Sequence, residues 1–119
     1  RTIQTKHKQW YFGKSLDTFC VMGPVLVTAD EFEWPLSLDL KTFINNELRQ
    51  NGNTNQMIFD IEHIISELSE GMTLKSGSII VTGTPAGVGM GFTPPKFLKP
   101  GDKMECSIEK IGTLINRVK

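Results

Sequence analysis

The chain has 119 residues, room for one domain and no more. Thirteen basic residues balance thirteen acidic ones, which argues against nucleic acid or an anionic membrane as partner, since both demand a concentrated positive surface. Hydrophobic residues at 39% and charged residues at 22% exclude a disordered or fibrous composition, and no apolar run approaches the roughly 20 residues of a membrane span.

The chain opens Arg1-Thr2-Ile3-Gln4, with neither Met nor an apolar h-region, so no signal peptide is expected. The missing Met marks the sequence as a candidate piece of a longer protein. The first dozen residues are polar and basic, ending in Gln9-Trp10-Tyr11-Phe12. Met22-Gly23-Pro24 is a turn signal, and the β-branched Val25-Leu26-Val27-Thr28 predicts a short strand. An acidic turn, Asp30-Glu31-Phe32-Glu33, stops at Pro35. From Leu36 the period is two: Leu36, Leu38, Leu40, Thr42 and Ile44 share one face, the mark of a half-buried strand. Asn45-Asn46 suits a tight turn because Asn tolerates positive φ, so residues 47–51 are expected to return as a hairpin.

Ile58, Ile61, Ile65 and Leu68 recur at helical spacing and predict one main helix over about residues 60–70. Asp60 is its expected cap, and Gly71 its expected left-handed terminus. Residues 78–82 read as a short apolar strand after a Ser76-Gly77 turn. Residues 83–95 are too rich in glycine and proline for regular structure. Past a turn at 99–102, strands are expected at 103–108 and 114–118. The sum is α+β and β-dominated. Cys20 and Cys106 are too few and too far apart for a zinc knuckle or a disulfide framework. Free, buried thiols in a reduced, cytoplasmic setting are expected.

The glycine loop, Thr82-Gly83-Thr84-Pro85-Ala86-Gly87-Val88-Gly89, is the loudest chemical signal. Its spacing is not G-x-G-x-x-G, and Pro94-Pro95 stands where a dinucleotide-binding helix would start. No Gly-Lys-Ser/Thr closes it as a phosphate loop. It remains either a surface connection or a place of close backbone approach. Lys14, followed by Ser15, is suited to stabilising an anion or an enolate, although lysines at large are mostly solvated. Gln4 is weaker without context. Glu31 and Glu33 invite a metal reading, but hard cations need three or more converging oxygens, and a solvated turn fits better. His7 and His63 have no spaced partners for zinc or a triad.

Taken together these pieces resemble the fumarylacetoacetate hydrolase family. The match runs in order through Arg1-x-x-Gln4, Gly13-Lys14-Ser15-x-Asp17-Thr18-Phe19, Met22-Gly23-Pro24, Arg49-Gln50-x-x-x-Thr54-x-x-Met57-Ile58-Phe59, Thr82-Gly83-Thr84-Pro85-x-Gly87-Val88-Gly89 and Leu98-x-x-Gly101-Asp102. Thr2 departs from the family, where many relatives carry Asp.

The resemblance implies the carboxyl-terminal part of a single catalytic domain that hydrolyses, decarboxylates or isomerises small 2-oxo, β-dicarbonyl or enol acids through an enolate. It implies a magnesium ion, or manganese or calcium in its place, whose Glu-x-Glu and Asp ligands precede Arg1, as does a His-Glu acid–base pair. No direct metal ligand is then expected in this chain. Lys14 would be catalytic, stabilising the enolate charge. Gln4, Thr84 and Gly83 would bind substrate, and Thr18 would tie water to the metal shell. A homodimer acting on a small-molecule dicarboxylate, with no nucleic acid and no membrane, is expected. The alternative is a catalytically incomplete remnant that only pairs with a partner.

Overall fold

The start of the chain folds as two short helices, α1 (Thr2–His7) and α2 (Trp10–Lys14), in a computed structural model that describes residues 2–119. Arg1, which opens the Gln4 motif, lies outside the described residues. The Gln9 side chain caps α2 by accepting the Trp10 N–H at 3.0 Å. The helices close at Gly13, which is buried. A Cβ there would come within 2.6 Å of Gln4 Cγ, so the glycine of Gly13-Lys14-Ser15 is what lets the helices touch. A turn follows in which the Phe19 N–H donates to the Leu16 carbonyl at 3.1 Å. Its third residue, Thr18, sits at φ 70°, a position that favours glycine or asparagine and strains a β-branched residue.

Residues 25–28 belong to no strand or sheet among the described residues, and Leu26 is 94% exposed. The expected strand is therefore absent. Side-chain propensity favours an extended backbone, but a strand exists only where a partner takes its N–H and C=O groups. The acidic turn holds one turn of 3-10 helix at Ala29–Glu31.

The expected hairpin is present. Strand β1 (Asp39–Ile44) and strand β2 (Glu47–Asn53) pair antiparallel around Asn45 and Asn46 at φ 50° and 68°, the two left-handed residues that a two-residue turn requires. The alternation also holds: Leu38 and Ile44 on the predicted face are buried. Strands β3 (Lys103–Ile108) and β4 (Gly112–Arg117) complete an antiparallel sheet of order β2-β1-β3-β4. The last strand begins at Gly112, opposite Ile108, two residues earlier than expected. The Asn45 amide ties the hairpin tip to β3, donating to Asp102 Oδ1 at 2.8 Å and accepting the Lys103 N–H at 2.9 Å. The Gly23-Pro24 turn lies against β4, near Gly112 and Leu114.

Between β2 and β3 the chain forms helix α3 (Ile61–Gly71), and the Asp60 carboxylate caps it by accepting the His63 N–H at 2.7 Å. The apolar stripe is Ile61, Ile64 and Leu68, which are half-buried. Ile58 precedes the helix at 93% exposed, and Ile65 also faces solvent. Spacings of three and four admit either set, and the tertiary contacts choose between them. Gly71 ends the helix without a left-handed conformation, and Met72 follows in an extended one. Residues 78–82 repeat the lesson of 25–28, forming no strand, with Val81 83% exposed. Both cysteines are exposed rather than buried. Cys106 does share a face with Thr42 and Leu114, but that face is only partly covered.

The architecture is α+β, with helices set beside an antiparallel sheet. Its surface is 9692 Å², where a folded monomer of 13.3 kDa shows about 6,450 Å². The radius of gyration, 15.9 Å, likewise exceeds the roughly 13.5 Å usual for this length. Much apolar surface is left outside the core.

Candidate functional site

The singled-out residues fall into two groups. Gln4, Lys14 and Thr18 belong to the helix pair and the turn that follows it. Gln4 runs alongside Gly13, next to Lys14. The Lys14 ammonium lies 5.3 Å from the Trp10 ring centroid, within reach of a cation–π attraction that holds it at the helix surface.

Gly83 and Thr84 open the glycine loop, which is docked on β2. The Gln50 side-chain amide donates to Thr84 Oγ1 at 2.7 Å and to the Pro85 carbonyl at 3.0 Å. The β1–β2 register shifts between Thr42, opposite Gln50, and Phe43, opposite Leu48. Arg49 is thereby left without a cross-strand partner, as a bulge, a feature often found beside functional sites. Gly87, at φ 105°, presses on the Arg49 carbonyl, where a Cβ would collide. Gly89 makes a similar approach to the Lys96 carbonyl, and the Lys96 N–H closes the loop onto the Gly89 carbonyl at 2.8 Å. The loop is thus a place of close backbone approach and not a bare connection.

Charge secures its far arm. The Lys96 ammonium meets Glu47 at 2.6 Å, and that hydrogen bond, with help from nearby Arg49, holds the Glu47 carboxyl below its ordinary value. Arg49 Nε stands 3.2 Å from Glu47 but is buried without a hydrogen bond. The Arg49 and Lys96 cations both lie over the Phe92 ring, at 5.2 and 4.8 Å from its centroid.

Thr84 and Gly83 edge a cavity of about 400 Å³ whose other walls include Thr54, Met57, Phe59 and Ile64. The Thr54 hydroxyl is already engaged, accepting the Leu38 N–H at 2.9 Å and donating to the Leu36 carbonyl at 3.0 Å. Gln4, Lys14 and Thr18 do not line this cavity. Sequence reasoning singled out Thr84 but missed Gln50 behind it. The available signal was Arg49-Gln50 itself, part of the resemblance but given no role.

A divalent ion finds no ligand set here. Among the described residues no three His, Cys, Asp or Glu side chains cluster suitably, and Glu31 and Glu33 are both exposed beside the 3-10 turn. His63 stacks on Phe59 at 4.8 Å, a packing role. No helix among the described residues is long and apolar enough to cross a membrane.

Comparison with known proteins gives this geometry its context. The family model described as fumarylacetoacetate (FAA) hydrolase C-terminal matches residues 1–119. The chain is 55% identical over 118 residues to the oxaloacetate tautomerase YisK of Bacillus subtilis (strain 168), covering 99% of this chain and 39% of that protein. It superposes on a fumarylacetoacetate hydrolase from psychrophilic Exiguobacterium antarcticum with a TM-score of 0.95 at 51% identity, over 100% of this chain and 43% of the other. A maleylpyruvate hydrolase from Sphingobium sp. SYK-6, solved in complex with manganese(II) ion and pyruvate, aligns with a TM-score of 0.79 at 41% identity, over 90% and 38%. The chain spans about two-fifths of the length of these relatives. It belongs to the fumarylacetoacetate hydrolase family.

Proposed function

We propose that the protein forms and reprotonates the enolate of a small 2-oxo dicarboxylic acid, with keto–enol tautomerisation of oxaloacetate as its reaction. The observation that supports this reading best is the Gly83-Thr84 edge of the 400 Å³ cavity, in a chain 55% identical to an oxaloacetate tautomerase. Loss of a C3 proton from oxaloacetate places negative charge on the C2 oxygen, and protonation of that oxygen gives the enol. In this reading the Lys14 ammonium faces the developing charge and stabilises it electrostatically. Gln4, beside it, donates a hydrogen bond to the same end of the substrate. Thr84 holds a carboxylate at the other end, and Thr18 orders water nearby. The base that takes the C3 proton is assigned to the His-Glu pair that the resemblance places outside this chain.

The described carboxylates do not fit a divalent ion. Magnesium, manganese or calcium would be held by groups other than these, and the homodimer belongs to the same proposal. The test is the ultraviolet absorbance of enol oxaloacetate, followed in the protein as its gene encodes it. The expected result is an interconversion rate proportional to protein concentration. No acceleration, together with cleavage of maleylpyruvate, would replace tautomerisation by hydrolysis, the reaction named for one relative.

A further inference from the structure

We infer that Gln50 is a positioning residue that fixes the Thr84 hydroxyl as a hydrogen-bond donor to the bound acid. The inference rests on the reading that Thr84 binds substrate and adds to it a direction and a second residue. The Gln50 amide group lies 3.0 Å from the Pro85 carbonyl and 2.7 Å from Thr84 Oγ1. A carbonyl oxygen only accepts, so the atom facing both must be the amide nitrogen, whose two protons are then both committed. Thr84 Oγ1 accepts one of them. A hydroxyl that accepts from the strand behind it has its own proton left to donate. Thr84 lines the 400 Å³ cavity and Gln50 does not, so Gln50 acts from behind.

The backbone makes this arrangement rigid. Gln50 pairs with Thr42 in the sheet, the next residue back is the bulged Arg49, and Gly87 closes on the Arg49 carbonyl. Two consecutive β2 residues therefore hold the loop at both ends, Gln50 at Thr84-Pro85 and Arg49 at Gly87. A donor fixed in this way favours a ligand oxygen that only accepts, such as a carboxylate, over a hydroxyl or an amine. Hydrogen bonds to charged groups are also the stronger ones.

Gln50→Glu is the sharpest variant because it keeps the shape and reverses the polarity. An ionised carboxylate cannot donate to Pro85, and it accepts the Thr84 proton, turning the hydroxyl away from the ligand. Thr84→Val, Gln50→Glu, the double variant and Thr84→Ser would be compared by KM and kcat for oxaloacetate tautomerisation, with melting temperatures as the check on folding. The expected result is a KM raised about 10-fold or more by Thr84→Val and by Gln50→Glu, with kcat changed less. The double variant should be no worse than the worse single one, since both remove the same donor. Thr84→Ser should keep both a low KM and its sensitivity to Gln50→Glu. Multiplying effects, or Gln50→Glu without a KM effect, would overturn the positioning role and leave Thr84 as a ligand-binding residue. An unchanged KM in Thr84→Val, or a wild-type protein inert toward oxaloacetate, would overturn the underlying reading and this inference with it.

Discussion

Strand β1 and the segments 25–28 and 78–82 all carry apolar and β-branched residues, yet only β1 is a strand, paired in its hairpin with the largely polar β2. The difference lies in what surrounds each segment. The hairpin carries its partner within reach, seven residues of β2 behind a two-residue turn whose Asn45 and Asn46 adopt the required positive φ. Segments 25–28 and 78–82 have no partner among the described strands, and Leu26 and Val81 stand in solvent. Hydrophobic burial and hydrogen bonding reinforce each other in the sheet, whereas outside it local propensity acts alone. The candidate site straddles this divide, with Thr84 docked on the sheet and Lys14 on the separate helix pair.

That division predicts which changes reach activity and which reach stability. The largest effect is expected on the helix pair: Lys14→Met should lower kcat by about 10²–10³, the usual loss for one transition-state electrostatic donor, with the melting temperature nearly unchanged. Steady-state kinetics beside thermal melts will check it. Next comes the loop. Gly87→Ala puts a Cβ onto the Arg49 carbonyl at a φ that disfavours alanine, so the loop must shift. A displacement of about 1 Å can cost roughly 100-fold in rate, and kcat/KM should fall on that scale while the circular dichroism of the sheet is retained.

The sheet should respond the other way. Asn45→Ala removes the amide that bridges Asp102 and Lys103 and leaves alanine at φ 50°. The expected loss is about 1–2 kcal/mol in denaturant unfolding, with kinetic constants unchanged. Acid gives the smallest effect. The Lys99 N–H and the Asn45 amide hold the Asp102 carboxyl below its ordinary value of 3.8. A carboxylate lowered on folding stabilises the fold above that value, and the contribution fades as pH falls through the lower folded one. The stability of Asp102→Asn should therefore fall less steeply than wild type below about pH 4.

These contrasts also mark how far the sequence could be read. Alternation from Leu36 to Ile44 and the Asn-Asn turn specify the hairpin because both signals are local and agree. Helix α3 was legible in its period and its Asp60 cap, but its buried stripe was not, since Ile64 and Ile65 satisfy nearly the same spacing. Helices α1 and α2 were missed because five or six residues leave too little periodicity to detect. Gln4, Lys14 and Thr84 emerged through ordered motifs. Gln50 did not, because a hydrogen bond spanning 34 residues follows from the register of β2 and the path of the loop.

The central claim, an enolate formed on a 2-oxo acid, is tested most directly by proton exchange at the carbon where that enolate arises. Oxaloacetate would be incubated with the protein in D₂O and its C3 signal followed by NMR. The account predicts loss of the C3 proton signal well above the buffer rate, in proportion to protein concentration. Exchange at the buffer rate, under conditions where the protein turns its substrate over, would contradict it.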